Sequence, residues 1–174
     1  IYLFLSSFLV YTTNKYLIRK VVATSSKIKE FAIALSAFIG TLLYIYNPWT
    51  INRIHHHPPM VLSLASAYTF VFEVDKLLSR LDVKSCLPIS TMLFISLKLA
   101  LLLMFVATQP QALIIYLGFL LVVYVFASLI INGKTFLSKI FNRVVVVIVT
   151  LTLMLNMFWI LPQFLTLMSG IREP

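Results

Sequence analysis

Acidic side chains are scarce in this chain, and two of the five, Glu73 and Asp75, stand almost side by side in an otherwise apolar stretch. A lysine, Lys98, stands alone inside another, between Ile89 and Ala107. At 1.5 Å of helical rise per residue, Lys98 would sit roughly 14 Å from one end of its helix, and Glu73 roughly 7 to 8 Å from the same end of the preceding antiparallel one. Two long side chains can bridge that offset, so the spacing predicts an ion pair between Glu73 and Lys98, with Asp75 as the next partner. A lysine at the centre of a bilayer costs about 2.5 to 3.5 kcal/mol to insert, so it needs a partner or water. Such a pair can bind a polar headgroup, relay protons or line a pathway, or it can simply fix helix register. Asn156, with Thr150 and Thr152 in the same apolar run, is the other intramembrane candidate. Polar contacts of this kind tie helices together in lipid, at about 0.6 kcal/mol each.

The run His55-His56-His57 invites a metal reading. Consecutive residues do not project onto one helical face, whereas helical metal ligands are spaced at i and i+4. No acidic or cysteine ligand is near in sequence, so the histidines read as a solvated or headgroup-facing loop and remain weak metal candidates. Cys86, the single cysteine, excludes an internal disulfide and has no partner at metal spacing. No set of nucleophile and base emerges, and no cofactor motif, so the expectation is a protein that is not an enzyme and holds no cofactor.

The elements that must position these residues follow from composition. Of 174 residues, 61% are hydrophobic and 11% charged, against about 25% charged in an ordinary soluble domain. An α-helix needs about 20 apolar residues to cross a bilayer, and six stretches approach that length: 1–18, 30–46, 60–78, 89–107, 112–131 and 144–168. The expected fold is therefore all-α, a single polytopic bundle of about six transmembrane helices. Residues 52–59, with Pro58-Pro59, read as a loop, the tetrad Thr108-Gln109-Pro110-Gln111 as a tight turn, and Asn132-Gly133 as another. The β-branched run 144–149 is helix too, because an isolated strand in lipid leaves its backbone groups unpaired.

Lysine and arginine should gather in alternate loops if this count is right, and they do. The connectors 15–29, 76–84 and 134–143 carry eleven of the 14 basic residues, among them Arg19, Lys20, Lys27, Lys29, Lys134, Lys139 and Arg143. The exceptions are Arg53, Arg172 and Lys98. The three basic connectors belong on the cytoplasmic or matrix side of a membrane, where those seven residues are candidate contacts for anionic headgroups. The net charge of +9 is thus accounted for by topology. Nucleic acid is not expected as a partner, since the basic segments are short and little interleaved with aromatics.

Three short segments resemble the TLC domain, the membrane domain shared by translocating-chain-associating proteins, ceramide synthases and related lipid-linked proteins. Arg19-Lys20-Val21-Val22-Ala23 looks like its basic start, Tyr68 to Asp75 like its aromatic helix ending in acidic residues, and Asn156-Met157-Phe158-Trp159 like its last-helix signature. The acyltransferase members rely on an adjacent histidine pair ahead of an acidic stretch. Here His55-His56-His57 precede Glu73 and Asp75 by a short interval, with Pro58-Pro59 directly after. The resemblance therefore implies a noncatalytic lipid-binding or lipid-regulating bundle with a cavity among its helices. Three function classes fit the sequence. First comes an accessory or structural subunit that packs against other membrane-protein subunits as well as lipid. The others are the lipid-binding bundle and a small transporter or channel.

Overall fold

The computed structural model describes residues 1–22, 27–81, 87–107 and 116–169 of the chain, and the regular structure among them is entirely helical. Among the described residues seven helices follow one another: α1 (Tyr2–Val22), α2 (Lys27–Ile45), α3 (Pro48–His56), α4 (Pro58–Arg80), α5 (Ile89–Ala107), α6 (Gly118–Ile140) and α7 (Arg143–Ser169). Three of them are long and apolar enough to cross a membrane over Ile89–Ala107, Gly118–Ile140 and Arg143–Pro162. The apolar stretch Glu30–Ile45 in α2 is shorter, and α1 and α4 carry charged residues in their last turns.

Helix α4 is the centre of the bundle and packs against α1, α3, α5 and α6. It can do so because its middle is built of small side chains: Ser63, Ala65, Ser66, Ala67 and Thr69 are all buried. Small residues let helix backbones approach closely where lipid supplies no hydrophobic drive between helices. Thr13 on α1 donates to Thr69 on α4 at 3.1 Å, and Ser63 on α4 donates to the Phe105 carbonyl of α5 at 2.9 Å. On α2, Gly40 leaves room for the Asn14 side chain, which lies 3.0 Å from where a Cβ would stand. With the further contacts of Lys20 to Asp75 and of Lys98 to Glu73, these pairings make α1 parallel to α4, and α5 antiparallel to α4.

Helices α5 and α7 run parallel and are joined by a polar ladder. Ser96 donates to Ile148 O, Thr152 to Ser96 O and Asn156 to Ala100 O, at 3.4, 3.5 and 3.4 Å. On α7 the rungs climb four residues at a time, from Ile148 to Thr152 to Asn156, while on α5 they pass from Ser96 to Ala100. Beside the ladder an apolar core gathers Leu77, Leu78 and Leu81 of the α4 end with Leu99, Phe136, Val144, Val145 and Ile148.

Several boundaries differ from those read in the sequence. Residues 48–56, expected to lead into a loop, form helix α3, whose start is set by Pro48 in a first turn that tolerates proline. At nine residues it is about 14 Å long, too short to cross a bilayer. The basic stretches 15–22 and 76–80 are the final turns of α1 and α4 rather than loops. The third basic connector is also mostly helical. Helix α6 continues to Ile140 across a bend at Gly133, whose φ of 45° and ψ of −121° no ordinary side chain adopts comfortably. Beyond that bend the tail of α6 keeps its own apolar face, burying Phe136 against the core. The turn 108–111, the start of the fifth expected span at 112–115, and Cys86 lie outside the described residues.

Candidate functional site

The basic ends of α1, α4 and α6 meet at one end of the bundle, and Asp75 ties them together. Its Oδ2 accepts from Lys20 Nζ of α1 at 2.6 Å and from the Tyr16 hydroxyl at 3.1 Å, and its Oδ1 from the Tyr124 hydroxyl of α6 at 3.2 Å. With its side chain 14% exposed, this carboxylate is compensated on both oxygens, as a buried charge must be. Lys139, on the tail of α6, donates to the Leu78 carbonyl near the end of α4 at 3.1 Å. That places a cation where the last helical carbonyls lack partners.

Between these groups lies a cavity of about 400 Å³, with Lys20, Asp75, Ser79, Ser128, Asn132, Thr135 and Lys139 in its wall. A second cavity of about 280 Å³ adjoins it among α4, α5, α6 and α7. Its wall is hydrocarbon almost throughout, with Phe70, Leu99, Leu103, Leu121, Val149 and Leu153 among the side chains. Leu78, Tyr124 and Phe136 line both chambers. Tyr124 divides them by its own chemistry: the hydroxyl reaches Asp75, while the ring packs edge-on against Phe136 at 6.0 Å. The polar chamber sits at the basic end. The apolar one lies beside it at Leu77, Leu78, Ile140 and Val145 and reaches further into the bundle, to Phe70, Leu103, Leu121 and Leu153.

No protein-family model, curated protein or solved structure matches the chain.

The residues singled out in the sequence fall into separate places. Lys98 Nζ lies 2.8 Å from Glu73 Oε1, and Lys76 lies 3.9 Å from the same oxygen. Lys98 stays 42% exposed and Glu73 23%, so this pair is on the flank of the bundle and is absent from the wall of either chamber. Asn156 is buried. It bonds to Thr152 O at 2.9 Å and accepts from Trp159 Nε1 at 2.6 Å, which makes it part of the α5–α7 ladder. Of the candidate headgroup residues, Arg19 is taken up by Glu30 at 2.5 Å, Lys20 by Asp75 and Lys139 by the α4 carbonyl, while Lys134 and Arg143 are exposed. The side chains of Lys27, Lys29, His55 and His56 lie outside the described residues; His57 is exposed at the cap of α4 and makes no side-chain cap bond.

Sequence reasoning placed Asp75 second to Glu73 and passed over Tyr16 and Tyr124. The available signal was an acid just ahead of a basic helix end, with tyrosines in the flanking spans. Nothing in the sequence said which of the two neighbouring acids would turn inward.

Proposed function

We propose that this chain is a noncatalytic six-span membrane protein that holds a lipid-like amphiphile in the paired chambers between α4 and α7. The observation that carries the reading is the junction at Tyr124, where a polar, cation-bearing cavity adjoins a hydrocarbon one that reaches further into the bundle. Ligand sites are characteristically apolar concavities with a few placed polar groups, and between helices of bundles is one of their usual locations. The resemblance to the TLC domain points to the same class of ligand.

In this reading α1, α2, α4, α5, α6 and α7 each cross the membrane, and α3 lies along the interface between the second and third crossings. The ends bearing Arg19, Lys20, Lys76, Arg80, Lys134, Lys139 and Arg143 face the cytoplasm or matrix, following the bias of lysine and arginine toward that side. The polar chamber then opens at headgroup level on that leaflet, and the apolar one lies at acyl-chain depth.

A second reading, an accessory subunit of a larger complex, draws on α6. This helix buries far less of its apolar span within the chain than α5 or α7 does. Phe119, Val122, Phe126 and Ile130 leave an exposed row along it. Extraction in a mild detergent followed by native mass spectrometry with lipid identification separates the two. One retained amphiphile per chain, lost when Leu153→Trp fills the apolar chamber, is the result expected. Stoichiometric protein partners with no retained lipid would replace the amphiphile reading with the subunit one.

A further inference from the structure

Resting on the cavity reading, we infer that the amphiphile is anionic: one hydrocarbon chain carrying a phosphate headgroup. The charges in the polar chamber decide this. Lys20, Lys139 and Asp75 are the ionisable lysine and carboxylate side chains in its wall, so two cations face one anion. Asp75 already receives three hydrogen bonds, from Lys20, Tyr16 and Tyr124, which leaves it little capacity to hold a cationic headgroup. Lys139, by contrast, bonds a neutral carbonyl, and among the described residues no carboxylate forms an ion pair with it. An ammonium has three donors, so two remain for a ligand.

Around Lys139 the wall supplies Ser128, Asn132 and Thr135. The Thr135 hydroxyl donates to the Asn132 carbonyl and Ser128 is hydrogen-bonded to Tyr124, which leaves the side-chain amide of Asn132 as a neutral donor beside Lys139. The two spare ammonium donors of Lys139 together with the Asn132 amide suit a phosphate, which presents three strong acceptor oxygens, better than a carboxylate with two. Charge-assisted bonds of this kind are about twice as strong as neutral ones. The apolar chamber sets the tail. At about 30 Å³ for a group the size of a water, its 280 Å³ takes about nine chain carbons, part of one tail, and has no room for two. A lysophosphatidate-like lipid satisfies both chambers.

The test is binding of radiolabelled oleoyl lysophosphatidate to the detergent-solubilised protein, with unlabelled monooleoylglycerol, oleoyl lysophosphatidylcholine and inorganic phosphate as competitors. Saturable one-to-one binding is expected, with the two uncharged or zwitterionic lipids competing at least tenfold less well and inorganic phosphate not competing. Lys139→Met should weaken binding about tenfold or more. Lys139→Arg should retain it, and Asn132→Leu, which leaves the Lys139 bond to Leu78 intact, should weaken it severalfold. Thermal melting of each variant separates lost binding from lost fold. Equal competition by monooleoylglycerol, with Lys139→Met binding as tightly as the unaltered protein, would overturn the anionic assignment and leave the cavity reading standing. Displacement by inorganic phosphate alone would overturn the lipid assignment in favour of a free-anion site. Absence of saturable binding by any of the lipids would overturn this inference and the cavity reading together.

Discussion

Glu73 and Lys98 bond across α4 and α5 at 2.8 Å while keeping part of their surface outside the bundle, and that combination fixes what their removal should do. Lys98→Met leaves Glu73 with only the distant Lys76 at 3.9 Å. Loss of one partner from a fully buried pair costs about 3 to 5 kcal/mol, and an average polar contact in a membrane about 0.6, so a cost of about 1 to 2 kcal/mol is expected for this half-exposed pair. The double variant Glu73→Gln/Lys98→Met should recover most of it in a thermal-melting cycle. A double variant as unstable as the sum of the singles would mean that the two residues act independently. Asn156 acts inside the ladder. Asn156→Leu removes bonds to Ala100 and Thr152 and strands the Trp159 indole donor, so a loss of about 1 to 2 kcal/mol is expected. The Glu73 and Lys98 pairing was readable from helical rise and an antiparallel hairpin alone. Asp75 was not ranked first, because two acids only two residues apart on a helix face different neighbours, and the sequence carries no mark of which neighbour holds Tyr16, Lys20 and Tyr124.

At the level of elements, the agreement with the sequence follows the sharpness of the local signal. Helix α5 spans Ile89–Ala107 as expected because its apolar run is bounded on both sides by polar residues and prolines. The tail of α6 was hidden by its composition. Lys134, Thr135, Ser138 and Lys139 look like a loop, yet Phe136 packs into the core and Lys139 reaches the end of α4, and those two anchors hold a helical turn that propensity alone does not demand. Gly133 lets this tail turn off the axis of the span. An alanine there would keep the space, since nothing lies within 4 Å of its Cβ, but not the backbone angle of φ 45°. Gly133→Ala is therefore expected to cost about 1 to 3 kcal/mol and to pull Lys139 away from the polar chamber. Lower thermal stability together with weaker amphiphile retention would fit; unchanged values for both would show that the bend is not needed. The short α3 escaped notice for a different reason. Its nine residues mix polar side chains with Trp49, Ile51 and Ile54, a pattern that reads equally as loop and as interfacial helix.

Across the whole molecule, the alternation of charge along the sequence and the convergence of basic helix ends in space describe the same thing from two directions. Lys20 and Asp75 join the ends of α1 and α4, and Lys139 joins that of α6 to them, just where the basic connectors had been grouped on one side. Single cysteines introduced in a Cys86→Ser background give the direct check on sidedness. Lys134→Cys and Arg143→Cys are expected to react with an impermeant maleimide from one face of sealed vesicles, and Arg53→Cys from the other. Labelling of Arg53→Cys from the same face as Lys134→Cys would overturn the proposed six-span topology. A cavity was implied by the TLC resemblance and not by hydropathy, because a void depends on where side chains of four helices fail to meet, and hydropathy counts only what each helix carries. The central claim is that this void holds an amphiphile, and its most direct test is photo-crosslinking with an oleoyl lysophosphatidate bearing a diazirine in its chain, followed by peptide mapping. Adducts confined to chamber-wall residues such as Phe70, Leu103, Leu121 and Leu153, and abolished by excess unlabelled lipid, are the expected result. Labelling spread along the exposed row Phe119, Val122, Phe126 and Ile130, and insensitive to competitor, would contradict it.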